Sequence, residues 1–324
     1  MNRSGGDKLV PTAFRRVDLL REPPPTECVG GVVTIGNFDG VHRGHAALIG
    51  AAARLAQAAG VPTVAITFDP PPAAILRPRA PYPPLTTMPR RARLLRDVGA
   101  DHVLVIRTHR QLLQLAPEVF FEQILRRQLQ ARAVVEGPNF TFGKDRAGTT
   151  ERLVRLCAQA HMDCLIVPPV LEQGRPISSS RVREALLQGQ PSLAATLLGR
   201  PYAVSGLVCR GAGRGRRLGF PTVNLGFIET LLPRAGVYAC IAITPTARYP
   251  AAVHVGPVPT FDQPEQRVEA HLVGFEGELL GEVVELRFVA WLRGIQRFES
   301  VEQLRRQVQS DVETCRKLLA SGRY

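Results

Sequence analysis

With 324 residues, 45% of them apolar, the chain is long for one core, so two domains are expected, and no stretch approaches the ~20 consecutive apolar residues of a membrane span. Its net charge of +13 is nearly all arginine, and neither residues 1–200 (26 basic, 16 acidic) nor the remainder (15 basic, 12 acidic) has a basic run interleaved with aromatics. Arginine forks match phosphate oxygens in pairs, so small anionic ligands fit as well as nucleic acid does; the excess reads as a general preference for anions, and without such a run a nucleic-acid partner is not expected.

Residues 1–30 read as a lead-in, with a turn or loop at Glu22-Pro-Pro-Pro-Thr26 and no apolar core of a secretory signal in Met1 to Arg16. Val32 to Ile35 is a strand and Ala46 to Ala59 an apolar helix. Val61 to Phe68 is a buried-type strand, which completes a βαβ unit with a parallel sheet. Pro78 to Pro89 is expected to be a surface loop, Arg90 to Val98 a helix, Asp101 to Ile106 a strand and Pro117 to Leu129 an amphipathic helix. Ala133 to Glu136 is a strand running into a turn, Gly137 to Gly148; Thr149 to Ala160 is a helix and Cys164 to Val167 a strand. Ile177 to Arg183 opens a helix that runs to Gln188. This alternation predicts a doubly wound α/β domain over residues 1–188, with its ligand at the C-terminal strand ends.

Residues 189–200 are expected to form a linker with a brief helix, Leu193 to Leu198. From Pro201 the texture changes. Val204 to Val208, Gly236 to Ile243, Ala251 to Val255, Arg267 to Phe275 and Gly281 to Ala290 read as strands without helices between them. That predicts a small antiparallel β-barrel or sandwich over residues 201–324. Ser300 to Leu319 closes the chain as an amphipathic helix with Val301, Leu304, Val308, Val312 and Cys315 on one face. Six scattered cysteines, of which only Cys157 and Cys164 lie close in sequence, are expected to be reduced and mostly buried in a cytoplasmic protein.

Three stretches of the first half fit nucleotidyl transfer. In Gly36-Asn-Phe-Asp-Gly-Val-His-Arg-Gly-His45 the glycines, Gly36, Gly40 and Gly44, let backbone approach a phosphate, and the helix start adds unpaired N–H groups and a positive dipole end. His42 and His45 can donate to phosphate oxygens as charge builds there. Ser178, Ser179, Ser180, Arg181 and Arg183 suit a pyrophosphate leaving group, or else form an ordinary helix cap with exposed arginines. Asn139, Phe140 and Gly143, with Phe142, can set a flat ring by stacking and amide contacts, or make a turn with two core aromatics. This half has no carboxylate pair and no Ser/His/Asp constellation, which leaves displacement at phosphorus by positioning and charge stabilisation.

In the second half, Gly211 to Asn224 is a glycine/arginine loop ending on a proline-fixed turn; its glycines, Gly211, Gly213 and Gly219, let main-chain amides cradle phosphates. Thr222 and Asn224, two apart on an extended segment, point the same way and can offer oxygens to Mg²⁺. Glu269, an acid in an otherwise apolar strand, is either a general base for a hydroxyl or a solvent-facing residue.

From about residue 15 onward the chain resembles the bacterial bifunctional riboflavin kinase/FAD synthetase family. The motifs are Gly36 to His45, Thr67-Phe-Asp-Pro70, Gly137 to Gly148 and Ile177 to Arg183, then Gly219-Phe-Pro-Thr-Val-Asn224, Gly236-Val-Tyr238, Gly256 to Phe261 and Glu269. The resemblance implies a Rossmann-like nucleotidyltransferase domain followed by a β-barrel kinase domain. It implies two steps that need ATP and Mg²⁺: riboflavin to FMN, then FMN to FAD with release of pyrophosphate. Glu269 would be the kinase base, Thr222 and Asn224 metal ligands, and His42 and His45 phosphate holders. Asn37, Phe38, Asp39, Pro221 and Arg293 would join the other motif residues in binding substrate or nucleotide. The partners would be small molecules (riboflavin, FMN, ATP), the chain a monomer or weak homo-oligomer. Two positions depart from the family: Pro71 stands where Phe-x-Pro-His-Pro has His, and His254 where Asn-Ile-Gly has Asn. Two further readings stay open, a kinase with a weak or inactive adenylyltransferase half and a non-catalytic flavin-binding regulatory protein.

Overall fold

The computed structural model describes residues 14–78, 83–211, 213–258 and 263–320. The chain divides into two compact units, one of Met1–Tyr82 with Thr86–Ile177, the other of Pro83–Leu85 with Ser178–Tyr324.

In the first unit the strands are β1 (Arg15–Val17), β2 (Val32–Ile35), β3 (Thr63–Asp69), β4 (His102–Arg107), β5 (Ala133–Glu136) and β6 (Asp163–Ile166). They form one parallel sheet in the order β1-β4-β3-β2-β5-β6. The helices are α1 (Arg43–Ala59), α2 (Pro72–Leu76), α3 (Met88–Asp97), α4 (Arg110–Leu113), α5 (Pro117–Phe120) and α6 (Thr150–Gln159). A hairpin, β7 (Leu171–Glu172) and β8 (Arg175–Pro176), ends the unit. Because side chains alternate along a strand, Val33, Ile35, Val64 and Ile66 enter one core with Phe120, Ile124, Leu125 and Leu153, while Val32, Ala133 and Val135 pack on Ala51, Ala52 and Ala56 of α1. Alanines on that face let α1 lie close to the sheet. Strand order reverses direction between β2 and β5, the place where an open parallel sheet splits to receive a ligand.

In the second unit α7 (Ser179–Leu187) and α8 (Pro191–Leu198) precede a closed six-stranded barrel. Its strands are β9 (Tyr202–Cys209), β10 (Val223–Gly226), β11 (Gly236–Ile243), β12 (Arg248–Val258), β13 (Gln263–Leu272) and β14 (Val283–Arg293), with a one-turn helix α9 (Arg214–Arg217) after β9. Hydrogen bonding runs β10-β13-β12-β11-β14-β9 and back to β10, antiparallel throughout, so among these strands no edge is left unpaired. Helix α10 (Val301–Ala320) packs on β11 and β12.

The architecture matches the expected α/β unit and β-barrel, and several details differ. The lead-in contributes β1, and the helix expected over Pro117–Leu129 is α-helical only to Phe120, then π-helical from Phe121 to Gln128, where the wider turn brings Phe121, Ile124 and Leu125 all into the core. Most other ends move by one to three residues. Val301 does not share the buried face of α10, being 55% exposed; the helix is held through Asp311, Val312 and Cys315. The compact units part before Ser178, ahead of the expected limit at 188. Helices α7 and α8 pack with the barrel: the Arg234 amide donates to the Leu186 carbonyl, and a Cβ on Gly189 would strike Trp291. Part of the expected proline loop (79–82) and part of the Gly256–Phe261 motif (259–261) lie outside the described residues.

Candidate active sites

The histidine turn departs from the C-terminal end of β2, beside the split in the sheet. Phe38, Gly40 and Val41 all take positive φ (46°, 82° and 42°), a concentration of strain that needs strong anchoring. Asp39 supplies it. Its buried carboxylate accepts from the Arg91 guanidinium at 2.8 Å and from the Thr86 amide and hydroxyl at 3.1 and 3.2 Å, while the Gly40 amide donates to the Thr86 hydroxyl. Asp39 was expected to bind nucleotide and instead ties the turn to the start of α3. Phe38 is likewise buried and meets His45 edge-on at 5.2 Å, so it supports a histidine from below.

The two histidines cap α1 reciprocally. His42 Nδ1 accepts from the His45 amide and His45 Nδ1 from the His42 amide, each at 3.3 Å, and the rings stack with centroids 3.6 Å apart. An Nδ1 that accepts cannot carry the proton, so each neutral ring is held as the Nε2–H tautomer, which can donate through Nε2. Gly44 leaves room for this stack: a Cβ there would lie 3.1 Å from the His42 ring, a tight contact to which the ring would have to yield. Asn37 is exposed, and its carbonyl accepts from the Thr67 hydroxyl. Arg43 pairs with Glu172 of β7 at 2.7 Å.

In the loop after β5, Phe142 is a core side chain, bridged to Gly148 and stacked on Phe140 at 5.6 Å; a Cβ on Gly148 would strike its ring. This aromatic was one of two expected to set a flat ligand ring; the half-buried Phe140 and exposed Asn139 keep accessible surface. Gly143 takes φ 71° against Pro117. Glu136, the last residue of β5, escaped the sequence reading, although an acid closing an apolar Ala-Val-Val run was a signal. Its carboxyl accepts from the Ile35 amide at 2.6 Å, and complete burial pushes its pKa well up, opposed by the Ile35 and Gly137 amides and assisted by Cys164. At the start of α7, the Ser178 hydroxyl accepts from the Arg181 amide as an N-cap; Ser179 is half-buried, Ser180 exposed, Arg181 buried, and Arg183 donates to the Ser179 and Pro83 carbonyls.

The second candidate site lies on the barrel wall. Register places Cys209, Asn224, Glu269 and His254 in one row across four neighbouring strands, continuing through Val237 to Arg293. Cys209, Asn224, Glu269 and His254 are half-buried, whereas Val208, Leu225, Val268, Ala270, Val253 and Val255 beside them are buried, so the row faces outward. The glycine loop lies against it. A Cβ on Gly211 would overlap the Asn224 amide and one on Gly215 would come 2.9 Å from the Thr222 hydroxyl, so Thr222 and Asn224 both face that loop. Gly213 and Gly219 take positive φ (67° and 86°). His271, also missed in sequence, donates from Nδ1 to the Pro221 carbonyl at 2.9 Å and holds the Phe220–Thr222 corner. His254 lies directly opposite Glu269, and its Nε2 donates to the Pro257 carbonyl at 3.0 Å. Among the described residues no cluster of three His, Cys, Asp or Glu could hold a metal; the donors near the loop are the neutral oxygens of Thr222 and Asn224.

Arg293 does not offer its fork to a ligand. Nε and Nη2 chelate the Asp311 carboxylate of α10 at 2.8–3.1 Å, and Nη1 donates to the Gly294 carbonyl. With both side chains largely buried, Arg293→Met is expected to destabilise the barrel by about 3 kcal/mol by leaving Asp311 uncompensated. A fall in the melting transition with KM for ATP near wild type is the expected pattern; raised KM at unchanged stability would restore the nucleotide role.

Comparison with known proteins places relatives on both halves. A family model described as FAD synthetase matches residues 25–181, and one described as riboflavin kinase matches residues 198–319. A bifunctional riboflavin kinase/FMN adenylyltransferase of Escherichia coli (strain K12) is 32% identical over 305 residues, spanning 94% of this chain and 96% of the relative. That of Bacillus subtilis (strain 168) is 32% identical over 285 residues, 86% and 90% of the two chains. A crystal structure from Streptococcus pneumoniae, described as a macrolide-efflux protein, superposes with a TM-score of 0.86 at 31% identity, covering 94% of this chain and 99% of its own. Among the described residues no helix is long and apolar enough to cross a membrane.

Proposed function

The chain belongs to the bifunctional riboflavin kinase/FMN adenylyltransferase family, and from that premise we infer that one polypeptide phosphorylates riboflavin to FMN and then joins FMN to AMP from ATP, giving FAD and pyrophosphate. Residues 201–324 carry the kinase step and residues 1–188 the adenylyl step, with 189–200 joining them. The enzyme works on small molecules in the cytoplasm.

The observation that carries the residue assignment is the outward row Asn224–Glu269–His254 beneath the glycine loop. Glu269 takes the proton of the ribityl 5′-hydroxyl as that oxygen bonds to the γ-phosphorus and ADP leaves. The amides around Gly211, Gly213 and Gly219, with the Pro221 corner fixed by His271, hold the nucleotide. Thr222 and Asn224 would hold Mg²⁺, whose preference for a few protein oxygens alongside waters and phosphates fits this neutral pair, and which would neutralise charge on the ATP phosphates. In the adenylyl step an FMN phosphate oxygen attacks the α-phosphorus and the bond to pyrophosphate breaks. His42 and His45 donate from Nε2 to the growing charge, Asn139, Phe140 and Gly143 contact nucleotide or flavin, and Ser178, Ser179, Ser180, Arg181 and Arg183 receive pyrophosphate.

Incubating the purified chain with riboflavin, ATP and Mg²⁺ and separating the flavins by chromatography is the direct test. FAD is the expected end product. FMN alone would mark the adenylyl half as inactive, with Pro71 as the first suspect, and unreacted riboflavin would sink the reading.

A further inference from the structure

Strands β2 and β5 pair only through Val32 with Ala133 and Val33 with Val134. Beyond those rungs each strand still pairs with its other neighbour, β2 with β3 out to Ile35 and Ile66, β5 with β6 out to Glu136 and Ile166. The sheet therefore splits between β2 and β5, and the two loops assigned to adenylyl transfer spring from the two sides of the split. The histidine turn begins after Ile35 and the Asn139 loop after Glu136. The Ile35 amide has lost its ladder partner on this side, and the Glu136 carboxyl takes its place at 2.6 Å.

We propose that Glu136 is a positioning residue for adenylyl transfer, a buried side-chain crosspiece that fixes the separation between the histidine turn and the Asn139 loop. This rests on the adenylyltransferase reading above. Glu136 is 2% exposed; its carboxyl holds the Ile35 amide at the root of the histidine turn while its own backbone opens the Asn139 loop, so it engages the root of both loops at once. An apolar side chain there would leave a buried amide without an acceptor and the split held only by packing. Burial favours the neutral acid, and a neutral acid needs no counterion; Cys164 of β6 is the titratable group beside it. Glutamine, neutral and of equal length with a carbonyl acceptor, should therefore serve as well.

The test compares Glu136→Gln, Glu136→Asp and Glu136→Val on the full chain, with FMN, ATP and Mg²⁺ for the adenylyl step and riboflavin with ATP for the kinase step. Because misplacement of about 1 Å can cost about a hundredfold in rate, Val is expected to lower kcat for FAD formation roughly ten- to hundredfold, with KM for ATP changed less than about threefold and the kinase step unaltered. Gln is expected to restore kcat to within about threefold of wild type. Asp keeps the acid but falls short of the Ile35 amide, and should lose kcat like Val while disturbing packing less, so the conclusion does not depend on Val folding. Wild-type kcat in Val or Asp, a loss confined to KM, or failure of Gln to rescue each overturns the proposal. A wild-type chain that makes no FAD from FMN overturns the adenylyltransferase reading and this proposal with it, whereas normal wild-type FAD formation beside an unimpaired Val variant overturns the proposal alone.

Discussion

Glu269→Gln is expected to abolish FMN formation while supplied FMN is still converted to FAD at the wild-type rate. A positioned general base contributes roughly 10²- to 10⁴-fold, and glutamine keeps the shape and an acceptor oxygen but cannot take the ribityl proton. Asn224 and His254 flank the position on the neighbouring strands, so the cross-strand neighbourhood survives the change. The side chain points outward from a barrel whose interior is filled by Val253, Val255, Val268 and Ala270, and stability should hardly move. Separate assays of the two steps give the readout. Kinase turnover that survives in Glu269→Gln would remove Glu269 as the base and leave it a solvent-facing strand residue.

His45→Ala is expected to have the opposite effect, leaving FMN formation intact and lowering FAD formation from FMN by roughly 10²- to 10³-fold, the loss typical of one preorganised donor to a developing oxyanion. The variant also removes the acceptor for the His42 amide and the partner on which the His42 ring stacks. A lost cap costs about 1 kcal/mol, too little to unfold a packed α/β unit, so a melting curve separates the cap from the chemistry. The expected result is a melting temperature a few degrees lower with a kcat loss far beyond it. FAD yield equal to wild type would strip the turn of its phosphate-holding role.

Local signals in the sequence carried much of this. The histidine turn is contiguous, and its glycines and caps are set by neighbours a few residues away; the same holds for the glycine loop. What sequence could not supply is register. Asn224 and Glu269 are far apart along the chain, and only closure of the barrel sets them side by side. Long-range partners also decided the residues whose roles changed. Asp39 and Arg293 carry the charge a nucleotide site wants, and each is claimed by a distant opposite charge, Arg91 and Asp311. Glu136 looked like an ordinary strand end because nothing in Ala-Val-Val-Glu reveals that the neighbouring strand diverges there. The π-helical stretch after Phe120 was hidden for a similar reason, since one extra residue per turn leaves the apolar spacing of Phe121, Ile124 and Leu125 readable as a plain helix.

The membership of Pro83–Leu85 in the barrel unit reaches beyond packing. The Leu231 amide donates to the Pro84 carbonyl at 2.9 Å and Leu85 is fully buried, so a tripeptide from within the N-terminal half is a structural component of the C-terminal unit. No single scission of the polypeptide yields both units with all their parts. Severed after Ile177, the barrel keeps its two leading helices but loses the tripeptide; severed after Gln188, it loses α7 as well. Gene fission, domain shuffling and the making of half-length enzymes all face that topological constraint, which favours inheritance of the two activities as one piece.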